Sequence, residues 1–139
     1  MEKLDCILLV DDDEAANRYN QLVIEDIEIT HAIKIVSDGR EALDYLTHKG
    51  DYKEPNEGIK KPNLILLDIN MPGMNGFEFL TAYEELPEKL RTDDIVILML
   101  STSITNRDKS RANSYSSVKD FINKPLTEET LLKIMNKFF

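Results

Sequence analysis

Along the chain, short runs that are apolar throughout alternate with stretches in which apolar residues recur every three or four positions. The first kind suits strands buried on both faces, and the second suits helices with one buried side. The strand candidates are Cys6–Val10, Ala32–Val36, Leu64–Leu67, Ile95–Leu100 and Asp120–Ile122. The first, third and fourth contain no strongly polar residue, as strands covered on both sides require. Alternation of such strands with amphipathic segments predicts a parallel sheet with helices on both faces.

Spacing and caps place the helices. The first is predicted over Glu14–Asp26, with Ala15, Tyr19, Leu22 and Val23 near one face. The second opens at Asp38, which can cap it while Glu41 closes a capping box; Ala42, Leu43 and Leu46 face inward and Gly50 can end it. The third starts at Asn75-Gly76, with Glu78 three residues after Asn75 and with Phe77 and Leu80 apolar. The fourth, about Thr105 to Ser116, has only Ala112 and Tyr115 as sizeable apolar residues after Ile104, so it should bury little. The fifth starts near Thr127 and carries Leu131, Ile134, Met135 and Phe138 at i, i+3, i+4 and i+7, a core-facing stripe. Residues 51–61, DYKEPNEGIKK, form a polar connection longer than usual and read as an exposed insertion. Five strand–helix units in 139 residues predict a single domain over 1–139, with no linker and no output domain expected.

Composition adds limits. With 42% hydrophobic and 31% charged residues the chain has an ordinary globular makeup, and no run approaches the roughly 20 apolar residues of a membrane span. The start, MEKLDCILLVDDD, meets an acidic block too soon for a secretory signal. The single cysteine, Cys6, excludes an internal disulfide, reads as a small buried hydrophobe and fits a reducing, cytoplasmic setting. A net charge of −9 argues against a nucleic-acid partner, and nothing suggests a membrane one. The charge is uneven. Residues 1–103 hold 10 basic and 22 acidic side chains, whereas 104–139 hold 7 and 4, which is either a partner-facing surface or plain solvated surface.

In an open parallel sheet, ligands bind beyond the carboxyl ends of the strands. There the first strand candidate is followed by Asp11-Asp12-Asp13, the third by Asp68, the fourth by Ser101 and the fifth by Lys124-Pro125. Carboxylates crowded together need a cation, and hard oxygen ligands suit Mg²⁺. One carboxylate could then attack a phosphoryl group to give an aspartyl phosphate, with the developing charge shared by Mg²⁺ and the lysine. Asp13 alone is better read as the cap of the first helix. His31 and His48 lack metal-like spacing and read as surface residues, and no G-x-G-x-x-G follows the first strand to bind a dinucleotide.

ILLVDDD, LILLDINMPGMNG, VILMLSTS and DFINKP resemble, in order and spacing, the successive signatures of response-regulator receiver domains, and the resemblance covers essentially the whole chain. It implies a flavodoxin-like, doubly wound α/β fold: five parallel strands in the order 2-1-3-4-5, with five helices. It also implies a phosphorylation-dependent signalling switch, a phosphoacceptor that assists its own Mg²⁺-dependent chemistry rather than an enzyme. By the same resemblance Asp68 is the phosphoacceptor and a metal ligand. Asp11 and Asp12 hold Mg²⁺, with Asp12 preferred as the direct ligand, and Asn70 contributes its backbone carbonyl. Ser101 is the switch hydroxyl, Phe121 the aromatic switch position and Lys124 the site lysine, joined to Pro125 by a cis bond.

Two departures matter. Ser101 stands where threonine is commoner, and Thr102 where many relatives have alanine, so Thr102 should crowd access to the phosphoryl group. The long insertion, LSTS and Ser114-Tyr115 are similar to small regulators paired with phytochrome-type kinases. The partners so implied are a sensor histidine kinase or histidine phosphotransfer protein as donor. A downstream protein, or a second copy docking through the fourth helix, fifth strand and fifth helix, would read the state. A haloacid-dehalogenase-like phosphatase would want an acid two residues after its nucleophile, where Asn70 stands. A non-phosphorylated receiver-like binding module would not need Asp11, Asp12, Asp68, Ser101 and Lys124 together.

Overall fold

Strands and helices alternate strictly in the computed structural model, which describes residues 2–52, 60–87, 94–102 and 105–139. The strands are β1 (Ile7–Val10), β2 (Ile33–Val36), β3 (Leu64–Asp68), β4 (Val96–Ser101) and β5 (Val118–Asn123). The helices are α1 (Glu14–Asp26), α2 (Gly39–Thr47), α3 (Gly76–Glu84), α4 (Asn106–Asn113) and α5 (Glu128–Phe138), with a short 3₁₀ turn at Gly50–Tyr52. All strand pairs are parallel, in the order β2-β1-β3-β4-β5. The predicted flavodoxin-like topology is therefore the observed one. Ile104 and most of the polar insertion before β3 lie outside the described residues.

The period of two along each strand divides the core into two halves. Leu8, Val10, Ile65, Leu67, Ile97 and Met99 face α2 and α3, together with Phe77, Phe79 and Leu80. Ile7, Leu9, Leu64, Leu66, Leu98 and Leu100 face the other way, onto Ile24 of α1 and Leu131, Ile134 and Met135 of α5. Both faces of the three central strands are thus covered, which is why those segments are apolar throughout. β5 runs two residues earlier and one later than its sequence signal, because as an edge strand it is only half covered and alternates weakly.

Three local details depart from the sequence reading. In α1 the predicted face is only partly the inner one: Val23 packs against the core, but Tyr19 and Leu22 are 45% and 48% exposed, and Asn17, Asn20 and Ile24 are buried. In α2, Asp38 accepts from the Glu41 N–H as expected, but the Glu41 carboxylate reaches back to the Ser37 N–H rather than closing the box on Asp38. The helix ends at His48, which takes the left-handed conformation (φ 57°), two residues before Gly50. The Asn75–Glu78 box at the start of α3 is complete. α4 buries only Ala112, as predicted. Its end is held to α3 by Tyr115, whose ring stacks on Phe77 and whose hydroxyl lies 2.9 Å from that of Thr81. His31 and His48 are exposed.

Candidate functional site

The turn after β1, the end of β3 and the turn after β5 converge on one edge of the sheet. Lys124 Nζ donates to Asp11 Oδ2 at 2.8 Å and to Asp68 Oδ1 at 3.0 Å. Carboxylate oxygens of Asp11, Asp12 and Asp68 lie within 4.8 Å of one another. Asp11 is almost wholly buried, and its Oδ1 accepts from the Asp13 N–H at 3.0 Å. Asp12 is exposed, and its carboxylate takes no hydrogen bond among the described residues. The Asp68 side chain is 12% exposed: sheltered, yet open to an incoming group. Asp13 points away from this cluster and caps α1, accepting from the Ala15 and Ala16 N–H groups.

Ser101 is buried at the end of β4, one residue beyond Leu100, the register partner of Asp68. Its carbonyl accepts the Lys124 N–H at 2.8 Å, tying the strand that bears the hydroxyl to the lysine. The Lys124–Pro125 bond is cis, as anticipated. Thr102 is exposed and, with Ala15, Tyr19 and Pro125, walls a hollow beside Lys124. Asn70 is exposed on the loop from β3 to α3. Phe121 is half-buried opposite Met99 and packs against the same core half as Phe77, so it stands apart from the charged cluster.

Electrostatics follow from this crowding. Burial pushes the Asp68 carboxyl above the ordinary carboxylate range, and the charges of Asp11 and Asp12 add to it, outweighing the Lys124 hydrogen bond that pulls the other way. For Lys124 burial alone would favour the neutral amine, but its bonds to Asp11 and Asp68 prevail and raise it, so it stays an ammonium. Three carboxylates and one ammonium leave two negative charges uncompensated when all are ionised. A divalent cation with a preference for oxygen donors fits that donor set.

Gly76, at the start of α3, has a task beyond opening the helix. The N–H of Gly76 donates to the Ile69 carbonyl, closing the loop after Asp68. A Cβ at Gly76 would lie 2.5 Å from the Asp68 carbonyl oxygen and 3.1 Å from the Ile69 Cα. Only glycine lets α3 begin so close to the backbone that carries Asp68. The run NMPGMNG held the signal, but glycine there reads equally well as plain turn chemistry.

A family model for the response regulator receiver domain matches residues 7–136. Response regulator Rcp1 from a Synechocystis strain is 34% identical over 129 residues, covering 93% of this chain and 82% of that protein. A solved Mn²⁺-bound form of response regulator Rcp1 is 31% identical and superposes with a TM-score of 0.74 over 94% of this chain and 88% of the other. A two-component response regulator from Cytophaga hutchinsonii superposes with a TM-score of 0.82 at 30% identity over 99% of this chain and 98% of the other. The phosphorylated cyanobacterial phytochrome response regulator RcpA gives a TM-score of 0.74 at 32% identity, covering 96% and 89%.

Proposed function

Because the chain belongs to the response regulator receiver family, we propose that it is switched by a phosphoryl group accepted on Asp68, with Mg²⁺ as its resident ion. The observation that carries this reading is the shared ammonium of Lys124, bonded to both Asp11 and Asp68 at an edge where three carboxylates meet. An oxygen of Asp68 attacks phosphorus, an acyl phosphate bond forms, and the bond from phosphorus to the donor's leaving group breaks. Lys124, bonded to Asp68, would balance the charge that gathers on the phosphoryl oxygens. Asp11, Asp12 and Asp68, with the Asn70 carbonyl, would hold the Mg²⁺, which supplies neutralising charge. Asp12 is the open ligand, since Asp11 already accepts two hydrogen bonds.

The hydroxyl of Ser101, at the end of β4 beside Asp68, would bond the new phosphoryl group, and Phe121, paired with Met99 of β4, would follow that strand. The donor is a sensor histidine kinase or a histidine phosphotransfer protein. It would approach past Ala15, Tyr19, Thr102 and Pro125, where Thr102 narrows the way in and slows loss of the phosphoryl group. The surface of α4, β5 and α5 would present the state to a protein target or a second copy. α4 is the least anchored helix there, and a weakly held element is easily biased between two states. Hydride reduction of the protein after exposure to a small acyl phosphate tests the assignment: Asp68 should be the one residue converted. Conversion at another carboxylate would reject it.

Metal binding has its own signature. The raised pKa of Asp68 means that the fold holds this proton more tightly than the unfolded chain does. Stability from this group is therefore lost as pH rises from the ordinary carboxylate range through the folded value, and Mg²⁺ should restore it. At a free concentration about 100 times the dissociation constant, Mg²⁺ stabilises by about 2.7 kcal/mol, several degrees of melting temperature. Asp12→Ala should retain less than about half of that gain, because it removes the ligand with no other partner. An Mg²⁺-induced shift equal to wild type in a thermal melt would rule out Asp12 as ligand.

A further inference from the structure

α1 turns two amides into the protein where its apolar period would have put Tyr19 and Leu22. Asn17 and Asn20 are 6% and 5% exposed. The Asn17 Nδ2 donates to the Asp11 carbonyl at 2.8 Å. Its Oδ1 is buried and takes no hydrogen bond among the described residues, and an orphan of this kind is costly to the fold. The amide cannot relieve that cost by turning over, since Oδ1 would then face the Asp11 carbonyl oxygen. A buried side chain with one satisfied end and one orphan is poor for stability, so a reason for it must lie in what the satisfied end holds.

That end holds one peptide plane. The Asp11 carbonyl belongs to the peptide that joins Asp11 to Asp12, so its direction sets how the two carboxylates are presented. Asp11 is fixed further by the Asp13 N–H and by Lys124. Asp12, exposed and without a hydrogen bond of its own among the described residues, has only its backbone to aim it. We infer that Asn17 is a positioning residue: through the Asp11–Asp12 peptide it aims the Asp12 carboxylate toward the cation shared with Asp68, at the expense of fold stability. This rests on the reading that Asp11, Asp12 and Asp68 hold a divalent cation, and it assigns the aiming of one ligand to a residue outside that set.

The experiment compares wild type, Asn17→Leu and Asn20→Leu, the last replacing a neighbouring buried amide that makes no bond to Asp11. Mg²⁺ affinity is measured by calorimetry, and the melting temperature is measured without metal. Asn17→Leu exchanges one orphan (its Oδ1) for another (the Asp11 carbonyl) and gains apolar packing. Its metal-free melting temperature should therefore stay near or above wild type. Its Mg²⁺ dissociation constant should rise about tenfold, the scale on which outer-shell partners act. Asn20→Leu should bind Mg²⁺ as wild type does. Unchanged Mg²⁺ affinity in Asn17→Leu, an equal loss in Asn20→Leu, or unfolding of Asn17→Leu without metal would each overturn the inference. If wild type itself binds no Mg²⁺, the reading of the acidic site falls, and the inference falls with it.

Discussion

Asp68→Asn should take up no phosphate from a small phosphodonor under conditions expected to label the wild-type chain. The substitution keeps the shape of the side chain, and an amide oxygen can still accept from Lys124, which now reaches Asp68 Oδ1 at 3.0 Å. What it removes is the anionic oxygen that attacks phosphorus, without which no acyl phosphate can form. Loss of labelling should be complete to the limit of detection. Unfolding would not explain it. Burial and the neighbouring carboxylates already make the ionised Asp68 costly, so the neutral variant should melt at or above the temperature of metal-free wild type. Labelling of Asp68→Asn at the wild-type rate would mean that another residue is the acceptor.

Gly76→Ala should be the most damaging change of a residue that carries no chemistry. Alanine is favoured over glycine in a helix interior by at most about 1 kcal/mol, and by less at a first helical position. Against that gain stands a Cβ only 2.5 Å from the Asp68 carbonyl oxygen, with the Ile69 Cα at 3.1 Å behind it. These are backbone atoms at the end of a central strand, so they cannot swing aside as a side chain could. Overpacking of this kind costs about 1–3 kcal/mol, and here the upper end is expected. Relief requires moving the main chain of Asp68 relative to Lys124, so the phosphorylation rate should fall along with the melting temperature. Gly73→Ala is the comparison. Gly73 has φ +73°, but a Cβ added there would meet nothing closer than Asp38 Oδ2 at 3.8 Å, so alanine carries only the left-handed backbone penalty of about 1–2 kcal/mol and should spare the rate. A Gly76→Ala protein that melts and reacts like wild type would show that the loop moves freely.

The parallel sheet was legible because β1, β3 and β4 are covered on both faces, and nothing but an apolar run can satisfy that. The meeting of Asp11, Asp12, Asp68 and Lys124 was legible because strand ends in this topology meet at one edge, so separate motifs become one cluster. α1 was misread for a physical reason. Its buried face carries Asn17 and Asn20, and its exposed face carries Tyr19 and Leu22, the reverse of what burial alone would choose. A hydrophobic period finds the inner face only when packing decides it; here a hydrogen bond to the Asp11 carbonyl competes, and such local inversions gather near functional sites. The role of Gly76 was hidden differently. Close approach between α3 and the Asp68 backbone is a fact of three dimensions, and a glycine before a helix looks the same with or without it.

The claim that Asp68 is a metal-assisted phosphoacceptor is tested most directly by the intact mass of the wild-type chain after incubation with a small phosphodonor, with Mg²⁺ and with a chelator in its place. A single phosphate should appear when Mg²⁺ is present and should be almost absent with the chelator, since the two uncompensated charges around Asp68 would then repel the incoming phosphoryl group. No adduct in either condition, or equal labelling in both, would contradict it.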